Sequence, residues 1–153
     1  MEIQVPISKV DEDRRMAFGW ANVFLRTDGD EVVDSHNETI DTPEAIAMIE
    51  DAVYRYMLHS RSGDEQHVNF GVARVVESMV FNDEKLEAIA RHSAALDEAD
   101  DVDGRLAALK AIIPTGWWIG MKIDDPDAWR LVKDGTYSMF SIVGTARRVP
   151  IDA

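Results

Sequence analysis

Gly116-Trp117-Trp118-Ile119-Gly120-Met121-Lys122-Ile123 is the stretch on which the fold turns. Its β-branched and aromatic content reads as a strand rather than a helix. Successive strand side chains point to opposite faces, so Trp117 and Trp118 cannot both turn inward. One ring is expected in the core and the other at an interface or in a cleft; Trp129 is expected in the core. Downstream, Asp125-Pro126-Asp127 caps a short helix carrying Trp129, Leu131 and Val132 and closed by Gly135. The run from Tyr137 to Val149 reads as a further strand, interrupted around Gly144.

Upstream, Thr42-Pro43-Glu44 combines a hydroxyl cap, a proline at the first helical position and an acid in the first turn. Ile46, Ile49, Ala52, Val53, Tyr56 and Met57 then recur at helical spacing, predicting an amphipathic helix to about Leu58. Ser60 to Gln66 is polar and reads as a loop, and Val68 to Phe81 as one long strand or two, broken at Gly71. Asn82 caps a second helix with Leu86, Ile89 and Ala90 on one face. The acid-rich stretch from Asp97 to Asp103 reads as a solvated linker, and Leu106 to Ile113 as another helical piece ended by Pro114. Near the start, Ile3 to Val10 and Met16 to Leu25 flank a polar break and predict a hairpin. Thr27-Asp28-Gly29-Asp30 is a turn, with Val32-Val33 as a short strand beyond it. Few connections have a regular β-helix-β rhythm. The fold class is therefore α+β, a mainly antiparallel β-barrel or sheet core with surrounding helices. One domain over 1–153 is expected, with an acidic helical insert at about 82–113.

Composition narrows the function. There is no cysteine, which excludes disulfides, thiolate metal sites and a cysteine nucleophile. A formal net charge of -13 repels nucleic acid and anionic membranes, and only Arg14-Arg15 and Arg147-Arg148 offer local basic pairs. No apolar run has the length of a membrane helix, and the first residues lack the pattern of a signal peptide, so a soluble intracellular protein is expected. Asp28, Asp30 and Asp34 look superficially like a cation loop, but the glycine and terminal glutamate of such a loop are not correctly placed, and the four histidines show no ligand spacing on one helix face. Neither metal nor cofactor is expected. Phosphate-loop, dinucleotide and GxSxG signatures are absent.

Nucleophilic catalysis needs a hydroxyl beside a base, with the base oriented by a third group. Ser141 is a polar residue inside the apolar run Met139-Phe140-Ser141-Ile142-Val143-Gly144, and His67 begins a strand after a polar loop. Taken alone, each has an ordinary structural explanation: alternation for Ser141, a strand end for His67.

Their surroundings resemble a known family, the XkdF-like branch of phage prohead serine proteases, with herpesvirus assemblin as a relative. The likeness is carried by Phe18-Gly19-Trp20-Ala21-Asn22-Val23, by Asp34-Ser35-His36-Asn37-Glu38-Thr39-Ile40, and by His67-Val68-Asn69-Phe70 leading into Val75-Val76-Glu77-Ser78. Most specific is the closing block: the tryptophan strand, then Trp129-Arg130-Leu131-Val132-Lys133-Asp134-Gly135, then Phe140-Ser141-Ile142-Val143-Gly144. Two departures stand out. The stretch from Asn82 to Ile113 is longer than the family pattern requires. With Ala153 so soon after the serine strand, the C-terminal arm of longer relatives is not expected within these residues, as a shortened chain or a compact variant would equally explain.

The resemblance implies Ser141 as nucleophile and His67 as general base. The third member is open: Glu77 is a candidate, provided that a bend such as one at Gly71 shortens its path to His67, and His36, His59 and Asp34 are alternatives. A dyad would also serve. The segment from Gly144 to Arg148 is expected to supply or support the oxyanion hole, while Arg147-Arg148 also reads as a solvated strand end. The implied substrates and partners are the major capsid protein and the scaffold, with self-cleavage, inside the assembling prohead in the host cytoplasm. Association into a homodimer is expected; nucleic acid and membrane are not. Two rival readings accompany this one: a non-catalytic capsid-assembly or scaffold module keeping the protease fold, and an unrelated small acidic binding domain.

Overall fold

The computed structural model describes residues 6–34, 37–65 and 68–140. Ile7–Asp11 (β1) and Met16–Leu25 (β2) form the expected hairpin, paired antiparallel from Ile7↔Gly19 to Asp11↔Met16. The turn between them is closed by Asp11, whose carboxylate accepts from the Arg14 backbone at 3.0 Å and from its guanidinium at 2.8 Å. The polar break works as a turn because this aspartate satisfies its free N–H. Val32-Val33 does not form a separate strand. The chain turns at 27–30, bridges Leu25↔Glu31, and Val32 N donates back to the Phe24 carbonyl at 2.9 Å.

Pro43–His59 (α1) begins at Thr42, whose hydroxyl accepts from Ala45 N at 3.2 Å, and buries Ile46 and Val53. The polar stretch after it is not all loop: Ser62–Glu65 (β3) pairs with Asn69–Phe81 (β4). A side-chain pattern of Ser-Gly-Asp-Glu carries no strand signal, yet an edge strand needs only backbone pairing on one side. Tyr56 pins this edge to α1, its hydroxyl donating to the Ser62 carbonyl at 2.7 Å.

Asp83–Leu96 (α2), capped by Asn82, packs on Val102–Lys110 (α3), capped by Asp101; the acid-rich stretch includes the link between them and the first turn of α3. On α2 the buried face is Leu86, Ala90 and Ala94, while Ile89 is exposed. Thr115–Ile123 (β5) and Pro126–Lys133 (α4) complete the elements, and the Asp125 carboxylate caps α4 through Asp127 N and Ala128 N.

The strands form one antiparallel sheet in the order β1-β2-β5-β4-β3. Mainly antiparallel strands with helices outside is the expected α+β class, but the barrel expectation is corrected: among the described residues the sheet is open, with β1 and β3 at its edges. The central strand β5 resolves the tryptophan pair. Trp117, 8% exposed, enters the core against α1, edge-on to Tyr56, and its indole N–H donates to the Ser78 hydroxyl at 2.9 Å. Trp118 turns the other way, edge-on to Trp20. Trp129 is buried against Val72, Ala73 and Ile123, holding α4 over the far end of β4 and β5.

Ile119, 1% exposed, sits between Phe24, Val75 and Val80 in the main core. Ile119→Ala is expected to cost about 2–5 kcal/mol, read as a lowered urea midpoint with an unchanged slope.

Candidate active site

The described segments that flank the predicted catalytic residues are the β3–β4 hairpin and the chain leaving α4. β4 bends near its start: Gly71 has φ +77, and the register slips between Gly63 and Asp64, leaving two β4 residues opposite none on β3. Glycine takes this left-handed backbone without the steric cost of a Cβ. Six positions along β4 separate this irregularity from Glu77. On its other side, Asn69 and Glu65 pair across the hairpin, and the Asn69 amide donates to Glu65 Oε2 at 3.2 Å.

The other oxygen of Glu65 accepts from the Tyr137 hydroxyl at 2.6 Å, a contact between residues 72 apart in sequence. Tyr137 is delivered by the end of α4. Gly135 turns the chain at φ +84, Asp134 accepts from Thr136 N at 2.9 Å, and Tyr137 N donates to the Leu131 carbonyl at 2.9 Å. Immediately afterwards the chain reaches the opposite edge strand. Ile7 N donates to the Ser138 carbonyl at 2.6 Å and Pro6 bridges Met139. Phe140 then packs against the main core. Residues 137–139 thus touch β3 through a side chain and the β1 edge through backbone. The phenol's bond to the Glu65 carboxylate holds the Tyr137 pKa above the ordinary tyrosine range, with burial adding to the effect.

Ser141, His67 and His36 lie outside the described residues, as do Gly144 to Arg148. Their described flanks are close: Glu65 is joined to Tyr137, one just before His67 and the other just before Ser141. Glu77 sits on β4 opposite Gly120, exposed, next to a second register slip between Val75 and Glu77, with no ion pair among the described residues. His59 is the exposed last residue of α1. Asp34 accepts from Glu38 N at 2.9 Å and Asp28 from Asp30 N at 3.0 Å, so these acids cap local turns. Among the described residues no three His, Asp or Glu side chains are grouped to hold a metal ion.

Sequence reasoning missed the Glu65–Tyr137 contact. Neither residue stands out in its own segment, and nothing local signals a pairing over that separation. The bond favours the neutral phenol, so the folded-state pKa lies above the unfolded value of about 10. Its contribution is whole below that value and is lost as pH rises through the raised one. Tyr137→Phe is therefore expected to lower the thermal midpoint at about pH 8, with the difference from the parent chain closing as pH rises through the raised tyrosine pKa.

No curated protein and no solved structure matches the chain. A family model does, over residues 4–150, and its description is "Putative phage serine protease XkdF". With nearly the whole length matched, including the tryptophan strand, the hairpin and the closing segment, the chain belongs to the XkdF phage serine protease family.

Proposed function

We propose that this chain is a serine endopeptidase of the phage prohead, cleaving scaffold and capsid protein, and itself, during head maturation. Family membership supports a serine protease. The observation that carries the assignment to particular residues is the Tyr137–Glu65 hydrogen bond of 2.6 Å. A serine and a histidine far apart in sequence can react only if the fold brings their segments together. This bond ties the residue two before His67 to the residue four before Ser141. The bond supports the assignment by holding together the two segments from which the hydroxyl and the imidazole would have to meet.

In the proposed reaction His67 takes the proton of the Ser141 hydroxyl as the oxygen attacks the scissile carbonyl. It then returns that proton to the leaving amine, leaving an ester on Ser141 that water hydrolyses by the same exchange. An imidazole titrating near about 6.5 suits both transfers. Backbone N–H groups from the segment 144–148 would stabilise the oxyanion, about 3–4 kcal/mol for each donor. Glu77 is the proposed third member, with His36 as the alternative. Support for Glu77 is the irregularity at Gly71, which lies between it and His67 along the chain. The assemblin relationship and a homodimer remain part of this proposal.

Ser141→Ala and His67→Ala are each expected to abolish cleavage of co-expressed capsid protein while circular dichroism stays that of the parent chain. Ser141→Ala should also lose labelling by a fluorophosphonate probe. Undiminished processing by either variant overturns the assignment, and a parent chain that resists the probe favours a non-catalytic assembly module. Glu77→Gln and His36→Gln separate the two candidates for the third member, since only the true one lowers the rate of cleavage.

A further inference from the structure

In a chain of net charge -13, three cations line one groove. An open groove of about 600 Å³ is lined by Met16, Arg61, Ser62, Arg74, Val76 and Lys122, among others. The register explains the gathering. Met16 pairs with Lys122, Lys122 with Arg74, and Arg74 with Ser62, so these side chains form one row on one face across β2, β5, β4 and β3. Lys122 and Arg74 are direct cross-strand neighbours of like charge, an arrangement that costs stability unless something anionic lies between them. Asp124 meets part of that need and acts on both cations. It holds Arg74 through two bonds of 2.7 and 2.8 Å, and the guanidinium draws its pKa below the usual carboxylate range. Lys122 also draws the Asp124 pKa down, but it makes no ion pair among the described residues, and its ammonium donates to the Arg14 carbonyl. Arg61 has no ion pair among them either.

Backbone strain points to the same place. Of the non-glycine residues with positive φ, Arg61 (φ 56) lines the groove, and Arg15 (φ 52) adjoins it, its carbonyl accepting from Ile123 N at 2.9 Å. Glycine or asparagine would hold these positions with less strain, and such strain gathers at sites that bind.

We propose that this groove binds the side-chain carboxylate of an aspartate or glutamate in an extended peptide segment. Arg61 and Lys122 are the charged contacts, and Met16 and Val76 give apolar surface for the peptide beside them. A four-strand row spans about 14 Å, too long for a single small anion and matched to a few extended residues. Nucleic acid does not fit: a long polyanion meets the repulsive field of the whole chain, whereas a short segment meets only the local cations. The site stands whether or not Ser141 cleaves what is bound.

The test is titration of the full chain carrying Ser141→Ala, followed by amide chemical shifts, with the capped peptide Gly-Glu-Asp-Gly and its neutral isostere Gly-Gln-Asn-Gly. The acidic peptide is expected to bind at least about tenfold more tightly, shifting amides around Arg61, Arg74 and Lys122. Arg61→Gln and Lys122→Gln should each weaken it several-fold with the rest of the spectrum unchanged. Raised salt should weaken it as well. Equal binding of the two peptides, shifts that map elsewhere, no effect of Arg61→Gln, or inorganic phosphate binding as tightly as the acidic peptide would each overturn the proposal.

Discussion

Strand alternation along β5 governs the rest of the molecule. β5 is hydrogen-bonded on both sides, to β2 and to β4, so its backbone cannot shift without breaking two ladders. With the backbone held, Trp117 must enter the α1 core and Trp118 must face Trp20 on the other side. Edge-to-face pairs of this kind add about 0.5–1.5 kcal/mol beyond the area they bury. Close approach narrows the choice further. A Cβ on Gly116 would stand 2.4 Å from the Asn22 carbonyl oxygen, so β2 and β5 can pack this way only with glycine there.

Both ends of the sheet inherit their geometry from that centre. At one end Val80, on β4, accepts from Lys85 at 2.8 Å, and the same ammonium binds Glu50, joining α2 to α1. At the other, Ile123 and Ala73 seat Trp129, which fixes where α4 ends and hence where Tyr137 starts. Tyr137 reaches Glu65 at the end of β3, beyond the irregularity that β4 carries at Gly71. The proposed active-site chemistry and the proposed carboxylate groove therefore depend on the same strand, through different rows of its partners. The aromatic centre sets the register; the register sets which charges become neighbours.

Much of this was legible along the chain. Thr42, Asn82 and Asp125 announce helices through short-range capping, and each does so in the structure. The tryptophan pair declared opposite faces, and Gly71 marked an irregularity, which β4 carries as one continuous strand without being broken in two. β3 was not legible, since Ser-Gly-Asp-Glu has no apolar alternation and owes its strand to pairing with β4. The open sheet was not legible either, because whether edge strands meet depends on accumulated twist rather than on any one residue.

The amino-acid sequence by itself determined most of the element types and the class of fold, because propensity, capping and alternation act within a few residues; the candidate pair Ser141 and His67 came from the family resemblance. Only the tertiary structure decided that Glu65 meets Tyr137, that Arg74 stands beside Lys122, and that Arg61 opens onto the same groove. Those are contacts between strands whose register follows from packing on a shared core, and no local preference of either partner encodes them.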